Sequence, residues 1–225
     1  MTTGASSKAP PAAAPGPGAR PPLTGLRLVR LHLASRRVPA ALAAVAACAV
    51  GLRVALHWHW DAYGALQLPL VFETACAAVI AVTTASPFGE PERATGRWLP
   101  FLRLGAALAL TAAAAGALAA AGTGAHLAGG GLDVLRNVAG LTGIGLLFAA
   151  VLGGGLGWAG PLAYMVVAAY ELYAAWHGGA LNTPWIWPAR PPHDAGAAIC
   201  AGLVFAAGML VITVRGARDS PGEGI

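Results

Sequence analysis

Val138–Trp176 reads VAGLTGIGLLFAAVLGGGLGWAGPLAYMVVAAYELYAAW, an almost unbroken apolar stretch. As one helix it would be about 58 Å long at 1.5 Å per residue. A bilayer's hydrocarbon core is only about 30 Å thick. The stretch must therefore turn back on itself. Gly153-Gly154-Gly155-Leu156-Gly157-Trp158-Ala159-Gly160-Pro161 supplies the turn, because glycine and proline punctuate helices. One stretch thus predicts two antiparallel spans, Val138–Trp158 and a shorter Pro161–Trp176.

Working outward, four more apolar runs have the length of membrane helices: Val38–Leu56, Leu68–Ala85, Leu99–Ala121 and Ala197–Val214. Composition agrees. The 225 residues are 57% hydrophobic and 10% charged, with mean hydropathy +0.65. A soluble domain carries about 25% charged residues to solvate its surface; a lipid-facing surface needs far fewer. The expected fold is all-α, a polytopic membrane protein of six spans within residues 38–218. Residues 1–22, rich in Ala, Pro, Ser and Gly, read as a disordered cytoplasmic tail. Residues 23–37, LTGLRLVRLHLASRR, read as a basic interfacial helix or as the ordinary basic flank of the first span. Residues 219–225 read as a short cytoplasmic tail.

The net charge of +5 does not point to nucleic acid, since the basic residues flank apolar runs. With the N-terminus inside, Lys8, Arg20, Arg27, Arg30, Arg36, Arg37, Arg93, Arg97, Arg103, Arg215 and Arg218 fall on the cytoplasmic side. Arg53, Arg136 and Arg190 fall on the outer side or in the outer half. Basic residues favour the cytoplasmic side, so both termini are expected inside. Trp58, Trp60, Trp176, Trp185 and Trp187 are then expected at the outer interface, where indoles are favoured.

Four ionisable residues sit in or near the spans: Arg53, Glu73, Arg136 and Glu171. A charge at the bilayer centre costs about 2.5–3.5 kcal/mol on insertion scales, so each should be paired, snorkelling or functional. Matching depth on consecutive helices predicts the pairs Arg53–Glu73 and Arg136–Glu171; the other reading makes them candidates for a polar pathway. Cys48, Cys76 and Cys200 lie inside apolar runs and read as small hydrophobes, not as disulfides or metal ligands. The glycines at 140, 143 and 145 are expected to let helices approach closely. His57, His59, His126, His177 and His193 gather on the outer side, but no metal signature joins them; no metal site is expected.

Ser86–Trp98, SPFGEPERATGRW, is the most densely charged segment between spans. It reads as a solvated topogenic loop or as a helical turn that docks on a soluble partner. Six spans, a basic interfacial segment and the E-x-E-R-x-x-G stretch after the second span resemble the permease subunits of bacterial type 2 ABC transporters. In that family this loop forms the coupling helix seated in a cleft of the ATP-binding subunit. The resemblance rests on Glu90, Glu92, Arg93, Thr95 and Gly96, with Phe88 and Gly89 before them. It implies an export permease in a bacterial plasma membrane, assembled with a second permease subunit, identical or homologous, and with separate ATPase subunits that bind ATP and Mg. The Arg-, Ala- and Gly-rich composition fits a GC-rich, actinobacterium-like genome. This chain has no Walker motif, so no cofactor and no enzymatic site of its own are expected. The family commonly places short re-entrant helices outside between the fifth and sixth spans. Here His177–Ala195 has room for a half-turn only. Two other function classes stand beside the permease: a membrane anchor recruiting a cytoplasmic partner through the basic N-terminus, and an outer-face metal-handling protein using the histidines.

Overall fold

The computed structural model of the chain describes residues 37–58, 62–83, 99–124, 127, 129–178 and 183–215. The tails, the interfacial segment 23–36 and the loop 84–98, with Phe88, Gly89, Glu90, Glu92, Arg93, Thr95 and Gly96, lie outside the described residues. The described residues form helices and turns, with no strand among them. The helices are α1 (Val38–Ala55), α2 (Ala62–Thr83), α3 (Leu99–Ala121), α4 (Gly130–Leu152), α5 (Ala159–Trp176) and α6 (Ala195–Arg215).

Five of the six, α1–α4 and α6, are long and apolar enough to cross a membrane, as in a multi-pass membrane protein. The exception is α5. It is 18 residues long, but Pro161, Glu171 and three tyrosines dilute its apolar content. Large apolar side chains such as Val50, Leu203, Leu210 and Val214 stand on the outside of the bundle. That suits lipid as the solvent, since apolar tails accept such groups at no cost.

The turn after α4 is where the glycines placed it. Gly153 takes φ 104° and ψ 150°, a conformation essentially reserved for glycine. A single 3₁₀ turn, Gly154–Leu156, follows, and α5 starts at Ala159. The two helices then run back along each other. A Cβ built at Gly145 would lie 3.1 Å from Pro161 Cγ, and one at Gly160 would lie 2.9 Å from Ile144 Cγ2. The hairpin therefore closes through missing side chains.

α4 is the central helix and packs most extensively on α6. At their crossing the backbones touch. A Cβ at Gly143 would sit 2.6 Å from the Phe205 backbone, and one at Gly208 would sit 2.5 Å from the Gly143 carbonyl oxygen. Helices in lipid associate through such small-residue packing, because no hydrophobic effect drives them together. On the opposite side α1, α2 and α3 share with α4 a core of Leu52, Cys76, Ile80, Leu118 and Val138. Cys76 is buried there, and its thiol meets that of Cys48. Both thiols, and that of Cys200, are free, in keeping with their reading as small apolar side chains.

Candidate functional site: a buried polar cluster under a re-entrant segment

The connection between α5 and α6 does not stay at the bundle's edge. Tyr164, near the start of α5, donates a 2.7 Å hydrogen bond from its hydroxyl to the Trp185 carbonyl. Its ring stacks on Trp187 with centroids 4.6 Å apart. Tyr164 lies twelve residues before Trp176, where α5 ends, or about 18 Å of helix rise. The chain has therefore doubled back along α5. Trp187 opens a second 3₁₀ turn, Trp187–Ala189. Its ring lies over Gly140, where a Cβ would come within 2.5 Å of Cζ2. Gly140 is ten residues into α4, about 15 Å from its start. Residues 183–194 thus form a re-entrant segment held between α4, α5 and α6. Irregular backbone is tolerated at membrane depth only where protein buries it or a cavity solvates it. Trp187 is 2% exposed. This corrects its expected place at the outer interface: Gly140 leaves a slot that the indole fills. Trp58 and Trp185 are exposed, as interfacial indoles would be.

Arg136 pins this segment. Its Nη1 donates to the Pro191 carbonyl at 2.9 Å and its Nη2 to the Arg190 carbonyl at 3.4 Å. The guanidinium also pairs with Asp133, one turn earlier on α4. Its Nε donates to Asn137 Oδ1 at 3.3 Å. Asn137 in turn donates from Nδ2 to Glu73 Oε2 on α2 at 3.0 Å. A continuous polar relay therefore runs Asp133–Arg136–Asn137–Glu73 across α4 and α2. Arg136, Asn137 and Glu73 are all buried. Asp133 stands in the first turn of α4, where the helix dipole favours an anion.

The two expected ion pairs are replaced by other partners. Arg53 donates from Nη1 to the carbonyls of Ala121, at 3.2 Å, and Thr123, at 2.5 Å. It caps the C-terminal end of α3, where carbonyls without helical partners attract a cation. Glu73 is out of Arg53's depth, because α2 begins at Ala62, six residues before its expected start. That puts Glu73 in the middle of the helix. Arg136 takes Asp133 and the re-entrant carbonyls instead of Glu171. Glu171 is 3% exposed, and its Oε1 has no hydrogen-bond partner among the described residues. Of the four ionisable residues picked from the sequence, the structure joins Glu73 and Arg136 through Asn137.

The relay borders a cavity of about 330 Å³ between α2, α4, α5 and the re-entrant segment. Glu73, Asp133 and Asn137 supply its polar wall, and Leu66, Leu70 and Leu172 its apolar one. Arg190 also lines it and is held by Asp194, to which its Nε donates at 2.7 Å. Asp194 in turn caps α6 by accepting the Ala197 N–H at 2.9 Å. That backbone bond, then the Arg190 guanidinium, hold its carboxyl below the usual carboxylate range. A second cavity, about 410 Å³, lies on the far side of Arg136 and is bounded by His193 and the start of α6.

Among the described residues no three His, Cys, Asp or Glu side chains gather as a metal site would require. His57 and His177 each donate from Nδ1 to the carbonyl four residues earlier, Arg53 at 2.7 Å and Tyr173 at 2.8 Å. The sequence reading overlooked Asn137 and Asp133. Their signal was present: Asp133-x-x-Arg136-Asn137 puts three polar residues one helical turn apart at the head of an apolar run. No family model matches the chain, and no curated protein or solved structure matches it.

Proposed function

We propose that this chain is the membrane-spanning permease subunit of an ATP-driven transporter of the type 2 ABC kind. In this reading α1–α6 are six spans with both termini in the cytoplasm of a bacterium. Two such halves, identical or homologous, assemble with two ATPase subunits that bind ATP and Mg. The loop containing Glu90, Glu92 and Arg93 is the coupling element. Closure of the ATPase subunits pushes on it and rocks the helices between inward- and outward-facing states, the repertoire of rigid-body switching. The direction is export.

The observation that carries the reading is the re-entrant segment between α5 and α6. Its Trp187 reaches Tyr164 and Gly140, and the residues after it, 188–192, wall one side of a polar cavity. Transporters build sites of this kind near the bilayer midplane, where interrupted backbone meets buried polar groups. Neither an anchor nor a scaffold needs a cavity with a buried carboxylate in it. On the N-in topology the segment lies on the outer side and the Gly153–Trp158 turn faces the cytoplasm. The pathway residues are Glu73 with Asn137 from α4, and Glu171 on α5.

The test is affinity purification of the tagged chain from its native host, followed by identification of what comes with it. A soluble Walker-motif ATPase is expected in the complex. The double variant Glu92→Ala, Arg93→Ala should lose it while still reaching the membrane. Unchanged ATPase association in that variant would refute the coupling assignment, and no ATPase with the native chain would refute the permease itself.

A further inference from the structure

We infer that the cavity beside Glu73 binds a small organic cation through that carboxylate. The charges around it are unequally matched. Arg136 is committed to Asp133 and to the carbonyls of Arg190 and Pro191. Arg190 is committed to Asp194. These two ion pairs leave Glu73, whose hydrogen-bond partner is the neutral amide of Asn137 at Oε2. Glu73 is 2% exposed and lines the cavity. A carboxylate at that depth is costly without a counter-charge. An anion would meet the Glu73 and Asp133 carboxylates, while the Arg190 guanidinium in the wall is already held by Asp194; a neutral molecule would leave Glu73 uncompensated.

The remaining walls choose among cations. A bare metal ion wants a shell of about six or more oxygens, and this cavity offers it the side-chain oxygens of Glu73, Asn137 and Asp133 among leucines, prolines and the Asp194-paired Arg190. Leu66, Leu70 and Leu172 instead suit the carbon skeleton of an ammonium or guanidinium compound. At about 330 Å³ the cavity is at the small end of ligand pockets, which run from about 300 to 1,000 Å³.

This inference deepens the transport reading by naming a substrate class, and rests on it only for the claim that the ligand is cargo. The experiment is isothermal titration calorimetry on the purified full chain, with choline, ethylammonium and guanidinium chlorides as probes and sodium acetate as the anionic control at matched ionic strength. At least one cation should bind saturably and acetate should not. Glu73→Gln, which keeps the shape and removes the charge, should weaken binding tenfold or more. Ala175→Phe should do the same by filling the cavity with Glu73 intact. Both variants are checked for helix content and monodispersity; if Glu73→Gln does not fold, Ala175→Phe decides. The inference is overturned by no saturable binding of any of the three cations to the native chain, by equal binding of acetate, or by undiminished affinity in a folded variant. Cation binding without a co-purifying ATPase would sink the permease reading and leave the site standing. ATPase association without cation binding would do the reverse.

Discussion

Replacing Gly208 by alanine adds one methyl group at the tightest point of the α4–α6 seam. The new Cβ would stand 2.5 Å from the Gly143 carbonyl oxygen, 2.9 Å from its Cα and 3.1 Å from its carbonyl carbon. All three are backbone atoms, so no side chain can swing away. The helices must separate, and a gap of about 0.5–1 Å forfeits a quarter to a half of each contact's attraction. Overpacking of this kind costs about 1–3 kcal/mol. Alanine also raises helix propensity, by about 1 kcal/mol relative to glycine, which would mask part of the loss. Gly202→Ala removes that ambiguity: it is on the same helix, and a Cβ there meets nothing within 4 Å. The difference between the two variants isolates the clash, roughly a 5- to 150-fold change in the unfolding equilibrium. The assay is unfolding of the purified chain in mixed detergent micelles, followed by far-ultraviolet circular dichroism as SDS is titrated. Gly143→Ala, whose Cβ would lie 2.6 Å from the Phe205 backbone, should behave like Gly208→Ala. If Gly208→Ala and Gly202→Ala unfold together, the seam does not hold the helices and the packing argument fails.

Two further perturbations address the re-entrant segment. Arg136→Ala leaves Asp133 without its counter-charge and the carbonyls of Arg190 and Pro191 without their donors. Breaking a buried pair from one side costs about 3–5 kcal/mol. The variant should unfold at lower SDS, and a cysteine introduced at Pro188 should react faster with a thiol reagent; unchanged labelling would show that Arg136 does not pin the segment. The first turn of α6 should loosen in acid. Asp194's carboxyl titrates below the usual carboxylate range because the Ala197 N–H and Arg190 favour its ionised form. Its contribution is therefore complete above the unfolded carboxylate value and disappears as pH falls through the lower folded one. Amide hydrogen exchange at Ala197 and Ala198, corrected for intrinsic rates, should rise over that interval in the native chain and show no such step in Asp194→Ala. A step that persists in the variant would assign it to another group.

The helices and the α4–α5 turn were readable because their causes are local. Length, hydropathy and a run of glycines determine where a helix crosses and where it stops. Gly143 and Gly145 bring helices close, as expected, whereas Gly140 makes room for the Trp187 indole and not for a helix. What sequence spacing missed depends on three-dimensional depth. Arg53 was assigned a carboxylate, but a guanidinium is satisfied equally by carbonyls, which every helix end offers and no sequence marks. α2 extends through Pro69 to Ala62, and those six residues move Glu73 from the first third of the expected run to the middle of the helix. A proline is tolerated there because membrane helices have neighbours to satisfy the freed carbonyl. The re-entrant path of 183–194 was hidden because prolines and tryptophans read as an interfacial loop. Only the pairing of Trp187 with the vacant side of Gly140, 47 positions earlier, turns that loop inward.

The backbone contact between Gly143 and Gly208 also decides which parts of the bundle are free to move. Helices that touch through their main chains can neither roll nor slide without collision, so α4 and α6 behave as one stator. The C-terminal half of the re-entrant segment is tied to that stator by Arg136 and by the Asp194 cap, and its N-terminal half is tied to α5 by the Tyr164 hydrogen bond to the Trp185 carbonyl. The opposite wall of the cavity, α2 and α5, meets α4 at Gly145 through the side chains of Ala81 and Pro161, which can give way more easily than main chain. Moving α2 away from α4 would have to break the Asn137–Glu73 hydrogen bond, and moving α5 away from the re-entrant segment would have to break the Tyr164–Trp185 one.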